Sequence, residues 1–371
     1  MNLNYKNLPD NTVLSLIAPT ASGKTDLAFE LYQTGRFELV SVDSALIYQD
    51  MNIGTAKPTK DELANYPHYL VDIITPLQTY NVASFVSDVE RLIDNIHQNG
   101  KIPLLVGGTM MYYMALLDGL SAVPDTDPAI RTQVMAWLDE RGIGDLYAYL
   151  QTHDPKICER LKVSDTQRIT RAVEVHLQTG TPMSVWQAIP KTAPCHNPAQ
   201  RWLTLSVEPD RAWLHERIER RLNLMWEHGL VDEVIQLLQT YPELTPDMPS
   251  MRCVGYRQVL EFLAMTGHDV MQISPIWQQF TQDVQKTHTI MTKKNNNFVT
   301  NPQKLHNLAC QDMKNKALYA TRQLAKRQAT WQRSLARLNH APTITQTTQG
   351  VYRPVMLSFD GIQQVQEQLL Y

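Results

Sequence analysis

Apolar residues in the first third of the chain fall into short unbroken runs. Val13-Leu14-Ser15-Leu16-Ile17 is one, and Phe37–Val42 and Ile102–Val106 are two more. The first leads through a Gly-containing turn into a stretch of helical period from about Lys24 to Tyr32, and the third ends at Gly107-Gly108 before another helix. Short buried strands alternating with helices predict an α/β fold, a parallel sheet with helices on both faces. From about Pro124 to Ile189 the pattern becomes helices broken by loops, such as Pro128–Glu140 and Asp165–Gln178. In the second of these Ile169, Ala172, Val173, His176 and Leu177 recur at helical spacing, so His176 reads as a packed core residue rather than a ligand. The proline-rich stretch 190–198 reads as a return hinge. Trp202–Val207 is a further strand, and Asp210 can cap a long helix that carries Leu214, Ile218, Leu222 and Met225 on one side and stops at Gly229.

The rest of the chain is less regular. Residues 266–312 read as an insert with an exposed loop around Lys293–Asn297, and the Thr- and Gln-rich residues after His340 read as a tail without chemistry. The expected organisation is therefore a core in 1–123, an inserted helical domain in 124–198, completion of the core in 199–340 and a tail in 341–371.

Composition narrows the class. Apolar residues make up 43% and charged residues 19%, as in ordinary globular proteins. No run approaches the ~18 apolar residues of a membrane span, and the start, MNLNYKNLPDN, lacks the regions of a signal peptide, so a cytoplasmic protein without a membrane role is expected. The four cysteines, Cys158, Cys195, Cys253 and Cys310, form no CxxC pair, which excludes a zinc framework. Net charge is only −3, but Lys314–Arg337 holds seven basic residues and no acidic one, a local footprint suited either to a polyanion or to a solvated helix face.

Candidate chemistry begins with Ala18-Pro19-Thr20-Ala21-Ser22-Gly23-Lys24-Thr25, directly after a strand and before a helix. This is the setting of a P-loop. Its amides, the helix N-terminus and the Lys24 ammonium converge on phosphate, while the Thr25 hydroxyl can ligate Mg²⁺. Ala18 stands where the pattern has glycine. The base-reading NKxD segment of regulatory GTPases is absent, and no apolar strand ends in an Asp where an ATPase's metal-binding carboxylate is expected, except at Asp43.

Asp43 lies in Ser41-Val42-Asp43-Ser44-Ala45-Leu46-Ile47-Tyr48, followed by Met51-Asn52-Ile53-Gly54-Thr55-Ala56-Lys57-Pro58. Further on come Leu105-Val106-Gly107-Gly108-Thr109, Gln167-Arg168-Ile169-Thr170-Arg171-Ala172, Arg252-Cys253-Val254-Gly255-Tyr256-Arg257 and Thr321-Arg322-Gln323-Leu324-Ala325-Lys326-Arg327-Gln328. With the P-loop, these segments in this order resemble the bacterial tRNA dimethylallyltransferases (tRNA isopentenyltransferases), over roughly residues 13–337. The link between the Arg252–Arg257 segment and the last basic helix is longer than that family's.

The resemblance implies a P-loop sheet with an inserted tRNA-gripping domain, acting as a monomer on dimethylallyl diphosphate with Mg²⁺. Asp43 would be the general base, because the adenine N6 amine is a weak nucleophile and must lose a proton as the C–N bond forms. Thr109 would bond the bridging oxygen of the diphosphate; from the sequence it could equally be a helix N-cap. The anticodon stem-loop would be held by Asp43, Ser44, Ala45, Leu46, Thr109, Arg131, Gln167, Arg168, Ile169, Thr170 and Arg171. It would also be held by Arg252, Cys253, Val254, Gly255, Tyr256, Arg257, Lys326, Arg327, Gln328, Ala329, Thr330, Trp331, Gln332 and Arg333. Tyr256 could stack on a base or simply pack. In the last helix Arg322, Lys326, Arg333 and Arg337 share one face, with Leu324, Gln328, Trp331, Leu335 and Leu338 on the other. A small-metabolite P-loop kinase, a prenyltransferase of free adenine nucleotides and a non-catalytic nucleotide-dependent RNA-binding protein are the competing readings.

Overall fold

The structure, a computed structural model, describes residues 3–294, 302–340 and 355–371. Six strands form its sheet: β1 Thr12–Ile17, β2 Phe37–Val42, β3 His68–Tyr69, β4 Ile102–Gly107, β5 Arg201–Val207 and β6 Val355–Phe359. Their order is β3-β2-β4-β1-β5-β6, and every neighbouring pair is parallel. β1 lies at the centre, with Leu14 opposite Leu104 on one side and Leu203 on the other. Every residue of β1 and β4 is buried, which is why their apolar runs are unbroken instead of alternating.

The helices before the sheet crosses to β5 are α1 Lys24–Gln33, α2 Lys60–Asn65, α3 Val82–Gln98 and α4 Met110–Leu117. Next come α5 Pro128–His153, α6 Pro155–Cys158, α7 Thr166–Thr179 and α8 Met183–Trp186. After β5 follow α9 Arg211–Glu227, α10 Leu230–Thr240, α11 Tyr256–Thr266, α12 Pro275–Lys294, α13 Pro302–His340 and α14 Ile362–Leu370. Asp210 caps α9 as expected, its Oδ1 accepting from the Trp213 amide at 2.9 Å. None of the helices among the described residues is long and apolar enough to cross a membrane.

Residues Asp118–Ala193 form a compact unit of their own, and the described residues on either side form the other. The smaller unit packs Val134, Leu146, Leu150, Ile157, Ile169, Ala172 and Val173 into its own core. Its long helix α5 is interrupted at Gly142, whose φ of 77° no helix accommodates. His176 is half-buried there, its Nδ1 within 2.7 Å of the Tyr149 hydroxyl, a packed position.

Two regions of the larger unit differ from the sequence reading. The stretch 266–312 is largely helical, because α12 and the start of α13 each bury a stripe against α11. Trp277 and Thr281 on α12, and Ala309, Met313 and Ala317 on α13, are all buried. That stripe is narrow and interrupted by polar residues, which hid its period. The Asn295–Asn297 part of the expected loop lies outside the described residues. The chain end is not a tail apart from the core either: β6 pairs with β5, and α14 sinks Val365 and Leu369 into the core beside Leu27, Leu31 and Leu205.

Candidate active site

In an open parallel sheet, ligands collect in the crevice beyond the carboxyl ends of the strands. Here the ends of β1, β2 and β4 open onto one cavity of about 530 Å³. Its wall takes in Lys24 and Thr25, Asp43, Thr109, Arg252 with Cys253 and Val254, and Arg327 on α13. Segments far apart in the chain are thus gathered at one place, as the resemblance implies. Arg131 and Gln167–Arg171 belong to the smaller unit.

The loop after β1 turns through two left-handed residues, Ala21 (φ 64°) and Gly23 (φ 92°), before α1 begins. Ala18 does not have a positive φ and is buried. Glycine is therefore not required there, and the departure from the usual pattern costs the loop nothing in conformation. The Ser22 hydroxyl is buried without a hydrogen-bond partner among the described residues, as an anion-binding donor would be before its ligand arrives.

The loop is braced from outside. Gln328 accepts from the Thr20 amide at 3.2 Å and donates to the Gly108 carbonyl at 2.8 Å, joining the loop to the end of β4. Arg217 donates to the Ala21 carbonyl at 2.8 Å, and Arg221 to the Thr20 hydroxyl at 3.2 Å. Desolvation lowers the Lys24 ammonium to about 8; the nearby Arg221 charge adds to this and Asp43 opposes it. Arg221 is itself pushed below its usual range, chiefly by burial. Neither arginine was singled out from the sequence, where α9 was read through its apolar stripe alone. The available signal was a pair of arginines, Arg217 and Arg221, one turn apart along the edge of that stripe.

Asp43 follows β2. Its Oδ1 accepts from the Ala45 amide at 2.8 Å and from the Leu46 amide at 3.4 Å, an Asx turn that fixes the carboxylate; among the described residues no donor is bonded to Oδ2. Thr109 does not spend its hydroxyl on α4. It accepts from the Ser44 amide at 3.0 Å and donates to the Ser44 hydroxyl at 3.3 Å, tying the ends of β2 and β4 together. Gly107 permits this approach, since a Cβ there would lie 2.0 Å from the Val42 carbonyl oxygen.

Several residues expected to contact RNA are instead in the interior. Tyr256 is fully buried and donates to Glu233 at 2.6 Å, so it packs and does not stack on a base. Gln332 is buried, its amide donating to the carbonyls of Ile17 and Val207, both at 3.2 Å. Ile169 is fully buried and Thr170 nearly so, because α7 turns them toward the core of its unit. Arg171 donates to the Pro124 carbonyl and to Thr126, beside Glu174. Arg257 is held by Glu261 and the Pro246 carbonyl, over the Phe280 ring. On α13 the buried line runs Ala325, Gln328, Gln332 and Leu335, while Lys326 and Arg327 stay exposed; Arg333 pairs with Glu208 and Arg322 with Glu219. Gln167 and Arg168 are exposed on the smaller unit.

As a metal site the cavity offers few protein oxygens. Among the described residues no group of three or more His, Cys, Asp or Glu side chains is placed to hold an ion. The Thr25 hydroxyl suits Mg²⁺, which keeps waters and takes most of its remaining ligands from phosphates.

Comparison with known proteins places the chain in a family. The sequence pattern of the IPP transferase family matches residues 46–335. A tRNA dimethylallyltransferase of Psychrobacter sp. strain PRwf-1 is 57% identical over 362 residues, covering 96% of this chain and 94% of the relative. One from Acinetobacter baumannii strain ATCC 17978 is 46% identical over 333 residues, covering 89% and 93%. A eukaryotic dimethylallyltransferase crystallised in the course of acting on tRNA shares the fold, with a TM-score of 0.63 at 23% identity over 86% of this chain and 69% of that one. On the family match and these identities, the chain belongs to the IPP transferase family.

Proposed function

We propose that this chain transfers the dimethylallyl group of dimethylallyl diphosphate to N6 of the adenosine 3′-adjacent to the anticodon in tRNA, releasing diphosphate. The observation that carries the reading is the opening of a phosphate loop and of a carboxylate with one free oxygen onto the same cavity. The loop amides, Lys24 and Arg221 hold the diphosphate and stabilise the charge that builds on it as its C–O bond breaks. Mg²⁺, when bound, supplies further neutralisation of that charge, and Thr25 is the side chain to hold it. Asp43, fixed through Oδ1, presents Oδ2 to the N6 proton while the C–N bond forms; the proton passes to the carboxylate and the electron pair leaves with diphosphate. Thr109 can turn its proton from Ser44 to the bridging oxygen. Met110, Ile218, Leu222 and Leu324 give the cavity apolar walls that suit a prenyl tail.

The acceptor adenosine reaches Asp43 only by leaving its stack, which a loop nucleotide does readily. Lys326 and Arg327 on the larger unit, and Gln167 on the smaller, are exposed groups available to the anticodon stem-loop, while the exposed Arg252 and Arg168 must first leave Asp247 and Asp165. The test is incubation with labelled dimethylallyl diphosphate and Mg²⁺, with either unmodified tRNA or AMP as acceptor. Label is expected in tRNA alone; label in AMP alone, or in neither, overturns the proposal.

A further inference from the structure

Glu233 lies in the first turn of α10, where an acidic residue ordinarily does no more than complement the helix dipole. Its carboxylate does more here. Oε2 accepts from the amides of Asn52 at 2.9 Å and Ile53 at 2.7 Å, and Oε1 from the amide of Gly54 at 3.1 Å. Oε1 also accepts from the Tyr256 hydroxyl at 2.6 Å. One side chain therefore gathers three consecutive amides of one segment and the first residue of α11 from another. Both segments face the cavity just beyond these contacts, through Gly54, Thr55, Ala56 and Pro58 on one wall and Arg252, Cys253 and Val254 on the other.

The fit around this carboxylate is tight. A Cβ on Gly54 would lie 2.5 Å from the Tyr256 ring and 2.8 Å from Leu230, so the loop backbone rests directly on the ring. The loop also departs from ordinary backbone at both ends, with Asp50 at φ 63° and Ala56 at φ 51°. Such a conformation persists only where its surroundings enforce it. Tyr241 holds Asp50 at 2.6 Å, and Lys57 reaches back to the Tyr48 carbonyl at 2.7 Å. Between those anchors the three central amides have Glu233.

We infer that Glu233 is a positioning residue that sets the spacing between two cavity walls and thereby fits the cavity to the acceptor adenosine. The phosphate loop is braced by other groups, Gln328, Arg217 and Arg221, none of which shares a hydrogen bond with Glu233 among the described residues. Loss of the carboxylate should therefore disturb the acceptor and spare the diphosphate. The assignment rests on the transferase reading given above.

The experiment is steady-state kinetics of Glu233→Gln, Glu233→Asp and Tyr256→Phe, varying tRNA and dimethylallyl diphosphate separately, with thermal unfolding of each variant. Gln turns an amide donor toward amide donors, so kcat/KM for tRNA should fall about 10²-fold, the scale of an ångström-sized misplacement, while KM for dimethylallyl diphosphate stays at the wild-type value. Glu233→Asp keeps the charge and should recover part of the loss. A merely structural glutamate predicts both substrates failing together, in proportion to the protein left folded; that result, or unchanged kinetics, overturns the inference. Should Glu233→Gln not fold, Tyr256→Phe decides, because it leaves the three amides bonded: a raised KM for tRNA alone supports the inference and a wild-type KM overturns it. Wild-type protein that labels no tRNA would instead defeat the transferase reading itself.

Discussion

At the scale of single residues, two side chains bear the reaction proposed above. Replacing Asp43 with Asn preserves the Asx turn, since the amide oxygen still accepts from Ala45. What is lost is the proton acceptor. Asp43→Asn should retain tRNA affinity and lose about 10²–10⁴-fold in single-turnover rate, the usual worth of a general base; an Asn variant of wild-type rate would remove Asp43 from that role. Lys24 yields a pH dependence. Its ammonium holds the diphosphate only while charged, and with its titration lowered to about 8 the charged form predominates below that pH and is lost above it. Diphosphate affinity measured by calorimetry should therefore weaken as pH rises through about 8. Lys24→Arg, which stays protonated throughout, should lack that step. An identical step in the Arg variant would assign it to another group.

Among the elements, α13 combines two duties on two faces. Gln328 and Gln332 point inward and tie it to the ends of the sheet, whereas Lys326 and Arg327 point outward. Helical periodicity alone separated a basic face from an apolar one, but it could not identify buried glutamines as sheet clamps, because their partners are backbone carbonyls far away in the chain. Nor could it tell a free arginine from a paired one. Arg333 and Lys326 looked alike in the sequence, yet Arg333 meets Glu208 in the folded protein. Lys326→Ala should lower the slope of log affinity for tRNA against log salt by about one unit, and Arg333→Ala by less, as measured by filter binding over a salt series. Equal slopes for the two variants would refute the distinction. The P-loop and Asp43 were legible because each depends on a few contiguous residues beside a strand. Glu233, Arg217 and Arg221 were not, because their importance comes from contacts made across the fold.

For the molecule as a whole, the four longer strands nearest the centre were legible and the two edges were not. β3 is only two residues long, and β6 follows a polar stretch that shows no periodicity. The C-terminal segment nevertheless contributes two fully buried side chains, Val365 and Leu369, and covers β5. At about 1.5–3 kcal/mol for each such side chain, a chain ending at residue 340 should lose several kcal/mol of stability. A large fall in Tm is expected together with weakened diphosphate binding, because Ile362 lies within 3.5 Å of the Cβ position at Gly23. A truncated chain with the full-length Tm would show that the segment is dispensable.

The central place of β1 has a further consequence, for how the protein comes into being. β1 is synthesised before its partners β4 and β5, which follow it at long separations, and the edge strand β6 comes later still. Pairing over such separations is slow, and it leaves apolar strands uncovered meanwhile. During synthesis the loop after β1 therefore waits for β4 and β5 before its strand is paired on both sides. A chain released before β6 would hold the loop with Gln328, Arg217 and Arg221 in place but without Ile362 beside Gly23.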